Sequence, residues 1–213
     1  MSGMPEALAA IVMSPISYLA ALGGYVLGSI PFGLILTRLA GLGDIRAIGS
    51  GNIGATNVLR TGRKDLAALT LVLDGAKGAA AVLIADRWGP DLAVLAAGGA
   101  ILGHIWPFWL RFRGGKGVAT ALGIALALSW KAGLAMIAIW IAVVALTRYS
   151  SLAAIIAMVA GPALFGAFGT HMQNEFMIAM SVIVLFKHTP NLRRLLRGNE
   201  PKIGESKANA DGT

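Results

Sequence analysis

The sequence has no cysteine, few acids and little charge of any kind, and each shortage closes a class of function. Without cysteine there is no disulfide framework and no thiolate metal site. Asp and Glu number 10 against 18 Lys and Arg, and none of the 3 histidines pair at ligand spacing, so no metal and no cofactor are expected. No G-x-S-x-G occurs, and no His–carboxylate pair falls beside a serine, so a serine triad is not expected either. Charged residues make up 13% of the chain and hydrophobic residues 56%, whereas a soluble domain is about 25% charged. Only 8 prolines accompany the 28 glycines, with no Gly-X-Y period. The glycine content is that of transmembrane helices, which use it for close backbone approach.

What is present is a series of apolar runs, near 15–40, 66–86, 91–110, 118–130, 132–147, 151–168 and 175–187. They predict an all-α, polytopic inner-membrane protein of about seven transmembrane helices. The fourth and fifth runs are shorter than the ~20 residues of a full span, and only Trp130-Lys131-Ala132 separates them. One bent or re-entrant element there, giving five or six spans, stays open. Residues 1–198 read as a single transmembrane domain and 199–213 as a polar cytoplasmic tail, disordered from Lys202 onward. Met1–Ala10 lacks the basic region of a cleavable signal peptide.

Charge fixes the expected orientation. With the N-terminus outside and the C-terminus cytoplasmic, Arg87 and Lys131 alone fall outside and Lys77 falls within a span; every other Lys and Arg lies inside. That asymmetry accounts for the net charge of +8 without a nucleic-acid partner. Trp106, Trp109 and Tyr149 fit an interfacial aromatic belt.

Three polar loops share the basic side. The first, within 44–65, holds Gly49-Ser50-Gly51-Asn52-Ile53-Gly54-Ala55-Thr56-Asn57 and then Arg60. The second is Arg111-Phe112-Arg113-Gly114-Gly115-Lys116-Gly117, and the third Lys187-His188-Thr189-Pro190-Asn191-Leu192-Arg193-Arg194. Each combines glycine amides, hydrogen-bonding side chains and cations, which is the chemistry of an anion site. Singly, each also reads as a tight turn carrying positive-inside charge. The G-x-G-x-x-G at Gly49 is not a dinucleotide fingerprint, because a membrane helix precedes it and Asp74 lies inside the next apolar run. Gly115-Lys116-Gly117 is not a Walker A loop, since Gly follows the lysine.

Asp74 and Lys77, at i and i+3 in the second run, share a helix face and can pair. They are either a functional intramembrane site or an ion pair that locks helices, with Lys77 able to snorkel toward the loops. His104, in the third run, is expected to make a structural hydrogen bond. His171 is expected in an outer loop without a role.

The stretches GSGNIGATNVLRTG, DGAKG, GHIWPFWLRFRGGKGVAT and HTPNLRRLLRGNE, in this order between spans, resemble the acyl-phosphate-dependent glycerol-3-phosphate acyltransferase (PlsY) family, from about Gly28 to Lys202. The resemblance implies a bacterial inner-membrane enzyme with its active site facing the cytoplasm. It would move an acyl group from acyl phosphate to the 1-hydroxyl of sn-glycerol 3-phosphate, giving lysophosphatidic acid and phosphate. It implies catalytic roles for Ser50, Arg60, His188 and Asn191. Glycerol 3-phosphate would be held by Gly114, Gly115, Lys116 and Gly117, and Glu200 would serve structural integrity. Gly49, Gly51, Asn52 and Asn57 are counted with the phosphate binders, and Asp74, Lys77 and His104 with the supporting residues. Two positions depart from the pattern: Arg113 where Lys is usual, and Thr189-Pro190, where proline removes an N–H.

The chemistry is coherent on its own terms. Both substrates carry phosphate, and acyl phosphate is an activated mixed anhydride, so positioning and charge stabilisation suffice. A substrate phosphate can take the hydroxyl proton. The H-x-x-x-x-D signature of other glycerolipid acyltransferases is absent: Trp109, Phe176 and Arg193 stand five residues after the three histidines. Membrane lipids are expected neighbours, and the enzyme that makes acyl phosphate is a candidate partner. A transporter or flippase for a phosphorylated lipid or metabolite is the alternative, although no inverted repeat is visible. A structural membrane scaffold is the third reading.

Overall fold

The computed structural model describes residues 14–204, and all regular structure in them is helical. The order is α1 (Pro15–Gly28), α2 (Phe32–Leu39), α3 (Ala55–Val58), α4 (Lys64–Ala85), α5 (Pro90–Ile105), α6 (Val118–Leu128), α7 (Trp130–Thr147), α8 (Ser150–Phe168), α9 (His171–Lys187) and α10 (Thr189–Leu196). Met1–Ala10, Lys207 and the rest of 205–213 lie outside the described residues.

Among the described residues, five segments are long and apolar enough to cross a membrane: Pro15–Leu39, Lys64–Trp88, Pro90–Leu110, Trp130–Thr147 and Ser150–Phe168. The first is not the continuous span expected over 15–40. Pro31 lacks an N–H and disfavours helix at Ile30, so the chain breaks between α1 and α2. The break leaves carbonyls that lipid cannot satisfy. Lys77 Nζ donates to Ile30 O at 2.8 Å and Trp109 Nε1 to Ser29 O at 2.9 Å, so both are paired by side chains from other segments.

The doubtful fourth run forms α6, of 11 residues, about 16 Å at 1.5 Å per residue and half a bilayer core. Ser129 is extended and α7 starts at Trp130. The chain doubles back there, with Gly133 against the backbone of Leu126, so α6 and α7 are two helices rather than one bent element. His171, expected in a loop, is instead the first residue of α9.

Small residues set the packing. Gly24 and Gly28 of α1 face Ala96 and Ala100 of α5, while Gly99 and Gly103 of α5 face Ala21 and Tyr25 of α1; a Cβ at any of the four would strike backbone. These are two G-x-x-x-G stripes meeting, the close approach that stabilises helix pairs in lipid. Gly123 of α6 meets Gly75 of α4 in the same way. That contact seats α6 beside the turn of α4 that carries Asp74 and Lys77. The core around them is alanine-rich, with Ile101, Ile124, Met136, Met158 and Phe165 among its large fully buried side chains.

The boundary expected at 198 does not separate a free tail. Glu200 is buried, and Ile203 N donates to Arg148 O at 2.8 Å while Arg148 Nη2 donates to Ile203 O at 2.9 Å. Lys202 Nζ lies 5.6 Å from the Tyr149 ring centroid. Residues 199–204 are therefore docked on the α7–α8 corner.

Candidate active site

The first loop is organised by one side chain. Asn57, 2% exposed, donates through Nδ2 to the carbonyls of Ile45 at 2.8 Å, Ile48 at 3.3 Å and Asn52 at 2.8 Å. Its Oδ1 accepts from Ser50 N at 3.2 Å and Ser50 Oγ at 3.5 Å. Asn57, expected among the phosphate binders, has its amide spent on the loop. Asn52 Oδ1 accepts from Gly54 N at 2.9 Å, a local turn bond. Gly49 and Gly51 flank Ser50 with φ of 56° and 68°, a left-handed geometry that glycine adopts at no steric cost. The Arg60 side chain lies against Gly49, where a Cβ would meet its Cδ within 2.7 Å. The exposed Ser50 and the Arg60 guanidinium thus face the same space.

The second loop closes on the end of α5. Gly114 N donates to Ile105 O at 3.2 Å and Gly115 N to His104 O at 3.0 Å. These two amides, expected on phosphate oxygens, are occupied. The donors left for an anion are those of the first turn of α6, which have no intrahelical acceptor, next to Lys116. Gly117 caps that helix with φ 88°.

Beneath the loop lies a polar cluster in the membrane core. Lys77 Nζ stands 2.7 Å from Asp74 Oδ1, both side chains nearly inaccessible. Lys77 does not snorkel, because Asp74 and Ile30 O hold it. His104 Nδ1 is 3.8 Å from Asp74 Oδ1 and has no hydrogen-bond partner, so the structural bond expected of this histidine is not made at that nitrogen. Its Nε2 edge is pressed against Gly115, so closely that a Cβ there would collide with the ring.

In the third loop, His188 is 3% exposed, with Nδ1 2.8 Å from Val184 O. Burial, reinforced by Lys116, pushes its imidazole down to about 4 despite the Val184 carbonyl and Glu200. It is therefore neutral at physiological pH, with Nδ1–H donated and Nε2 left as an acceptor. Pro190 sits in the first turn of α10, where a missing N–H costs no helical bond. Asn191 Nδ2 donates to Glu200 Oε1 at 2.6 Å, and Arg194 Nε to Glu200 Oε2 at 2.7 Å. Burial raises the Glu200 carboxyl, but Ser151, Asn191 and Arg194 outweigh it and hold the group ionised, below its usual range. Asn191 Oδ1 is buried with no partner.

Lys116 joins the three loops electrostatically. Burial pushes its ammonium down to about 8; Glu200 opposes this, while Arg194, Arg60 and Lys187 add to it. One cation thus feels groups from the first and third loops at once. Lys187 and Arg194 carry part of this field although the expected site did not include them; the Lys-His-Thr-Pro-Asn…Arg-Arg run was the only sequence signal for either.

A family model described as glycerol-3-phosphate acyltransferase matches residues 18–198. The chain belongs to the glycerol-3-phosphate acyltransferase family. It is 59% identical over 181 residues to a glycerol-3-phosphate acyltransferase of Brucella anthropi, covering 85% of this chain and 90% of that relative. With the Brucella canis protein of the same name it is 57% identical over 185 residues, or 87% and 92% of the two chains. It also resembles the crystal structure of PlsY, an integral membrane glycerol 3-phosphate acyltransferase. The glycerol 3-phosphate form matches with TM-score 0.83 and 35% identity, covering 88% of this chain and 96% of that one. The lysophosphatidic acid form gives 0.81 and 34%. The all-helical fold is that of this integral membrane family.

Proposed function

We propose that this acyltransferase moves a fatty acyl group from acyl phosphate to the 1-hydroxyl of sn-glycerol 3-phosphate, at the cytoplasmic face of a bacterial inner membrane. The chain would form seven membrane segments, N-terminus outside, with the short α6 and α7 making a hairpin, so that all three loops would lie inside. The observation that carries the reading is the gathering of Arg60, Lys187, Arg194 and the Glu200 carboxylate around Lys116, with the neutral hydrogen-bonding groups His188 and Asn191 in the same third loop. Such a site suits two phosphates better than one.

In the reaction the hydroxyl oxygen adds to the acyl carbonyl carbon, the carbon–oxygen bond to phosphate breaks, and inorganic phosphate leaves. Arg60, Lys116 and the first turn of α6 neutralise the phosphate oxygens. Asn57 fixes the Ser50 backbone through its amide N–H, and the Ser50 hydroxyl, held by Asn57 Oδ1 only at 3.5 Å, can turn its hydrogen to a substrate oxygen on the Arg60 side. His188, neutral, accepts from the attacking hydroxyl and orients it. It is a poor base at about 4, whereas a phosphate monoester has a second pKa near ~6. A substrate phosphate, such as the monoester of glycerol 3-phosphate, is thus the better proton acceptor, and no protein base is needed. Glu200 holds Asn191 and Arg194 in place.

Purified protein given acyl phosphate and labelled glycerol 3-phosphate should form labelled lysophosphatidic acid, and acyl coenzyme A should not replace the donor. Absence of product with a folded protein would sink the proposal. Movement of labelled glycerol 3-phosphate across sealed vesicles, without acylation, would favour a transporter instead.

A further inference from the structure

Beside the catalytic loops the structure holds a second basic chamber. It is a cavity of about 780 Å³ lined by Arg38, Asp44, Arg46, Arg111 and Arg113, with Trp109 and Leu110 on its wall. Its volume is in the range of small-molecule sites, roughly 300–1,000 Å³. None of Ser50, Arg60, Lys116, His188 or Asn191 lines it, but Gly51 and Gly114, next to Ser50 and two residues before Lys116, do.

The chamber has an unbalanced charge. Arg38 and Arg46 share the single carboxylate of Asp44, with Arg38 Nη2 at 3.1 Å. Arg111 and Arg113 have no carboxylate among the described residues. Their placement is specified by the backbone. Arg111 and Phe112 are consecutive non-glycine residues with φ of 53° and 60°, a conformation that side chains adopt at a cost and that clusters at ligand clamps. Phe112 N donating to Pro107 O at 3.0 Å and Arg113 N to Leu110 O at 3.1 Å hold it. Guanidinium groups in such a set match phosphate oxygens in paired hydrogen bonds.

The surroundings narrow the ligand. Leu42, Phe108 and Phe112, in the segments that form the walls, are exposed, Phe112 by 61%. A soluble anion has no use for an apolar border, whereas an acyl chain does. We propose that this chamber is a second anion site, which takes the phosphomonoester headgroup of an acyl lipid and is separate from the catalytic one. The product and a phosphatidic acid of the bilayer carry that headgroup, and waiting donor, an acyl–phosphate anhydride, shares its terminal phosphate. Because Gly51 and Gly114 are shared walls, occupancy would bear on both catalytic loops. The proposal takes from the proposed function only that the catalytic loops hold glycerol 3-phosphate.

Lysophosphatidic acid is the probe, counted by native mass spectrometry on the full chain released from detergent micelles. Two molecules should bind per chain, and excess glycerol 3-phosphate should displace one of them. In Arg111→Gln/Arg113→Gln the site that glycerol 3-phosphate does not clear should weaken about tenfold for each arginine removed, while the displaceable molecule remains and reports an intact fold. Lys116→Ala should show the converse loss. One molecule bound to the unaltered protein, or two still bound tightly in the arginine variant, overturns the proposal. Competition by inorganic phosphate as strong as by lysophosphatidic acid overturns the lipid assignment, and equal binding of lysophosphatidylcholine overturns the anion assignment. If glycerol 3-phosphate displaces neither molecule yet the arginine dependence persists, the catalytic reading fails and this one stands.

Discussion

Gly115→Ala tests whether the intramembrane cluster sets the position of Lys116. The change adds a single methyl, and its ideal place lies on the His104 ring, with Cε1 at 2.9 Å and Cδ2 at 3.0 Å and Nε2 closer still. Carbon atoms rest at about 3.5–4.0 Å, so either the ring or the loop must move by about 1 Å. The ring has little freedom: it is 4% exposed and packed beside Asp74, itself paired to Lys77 at 2.7 Å. The loop is the softer partner, and Lys116 is the next residue. A misplacement of about 1 Å costs roughly a hundredfold in rate, so kcat/KM for glycerol 3-phosphate should fall by about that factor. Adding His104→Ala removes the obstacle. In that background Gly115→Ala should cost less than about tenfold, a coupling of more than about 1.4 kcal/mol in a double-mutant cycle. Steady-state acyl transfer with a thermal melt on each of the four proteins supplies the measurement. Additive losses, or a Gly115→Ala protein within twofold of the parent, would refute the idea that His104 props the loop.

Three further outcomes are expected. His188→Ala and Asn191→Ala should each lower kcat/KM about a hundredfold in folded protein, with His188→Gln partly restoring it through its amide oxygen; full activity in His188→Ala would place the site elsewhere. Lys116 at about 8 is mostly charged at pH 7 and loses its proton as pH rises through 8. The KM for glycerol 3-phosphate should therefore climb on the alkaline side, and Lys116→Arg should shift that limb beyond the measurable range; an unchanged limb rules Lys116 out as its source. Single cysteines introduced at Thr61 and at Lys131 should label from opposite faces, Thr61 from the cytoplasm, and labelling of both from one side would break the seven-span topology.

The division between what could and could not be read in the sequence follows the range of the forces involved. Helix existence was legible because a bilayer demands long apolar runs, and Asp74–Lys77 pairing because i,i+3 geometry fixes it locally. The break after Ser29 needed only Pro31, yet an unbroken apolar composition hid it. The role of Asn57 could not be read, because its five hydrogen bonds depend on how the loop from Ile45 to Asn57 curls back on itself. The occupied amides of Gly114 and Gly115 belong to a turn against α5 that no spacing rule describes. Glu200 was named through family resemblance, and its reason is tertiary: it is the carboxylate that holds Asn191 and Arg194.

The buried charges also bear on the choice between catalysis and transport. A transport site must exchange its partners as the protein alternates between states. Lys77 is bound at once to a carboxylate on its own helix and to the carbonyl at the α1–α2 break, with the Phe32 ring centroid 5.8 Å from its Nζ. Removing either charge would strand the other in a dry interior, at a cost of about 3–5 kcal/mol. Nor does the break itself mark a gate, since Trp109 from the loop after α5 closes the neighbouring carbonyl. The same α5 carries His104 under Gly115 and receives the Tyr25 hydroxyl on Trp106 O at 2.7 Å. His104 and Trp106, at the end of α5, thus sit at the base of the second loop, with the Asp74–Lys77 pair beside His104. That is the arrangement expected where a glycine loop must hold one ammonium in place for acyl transfer, rather than where buried charges exchange partners.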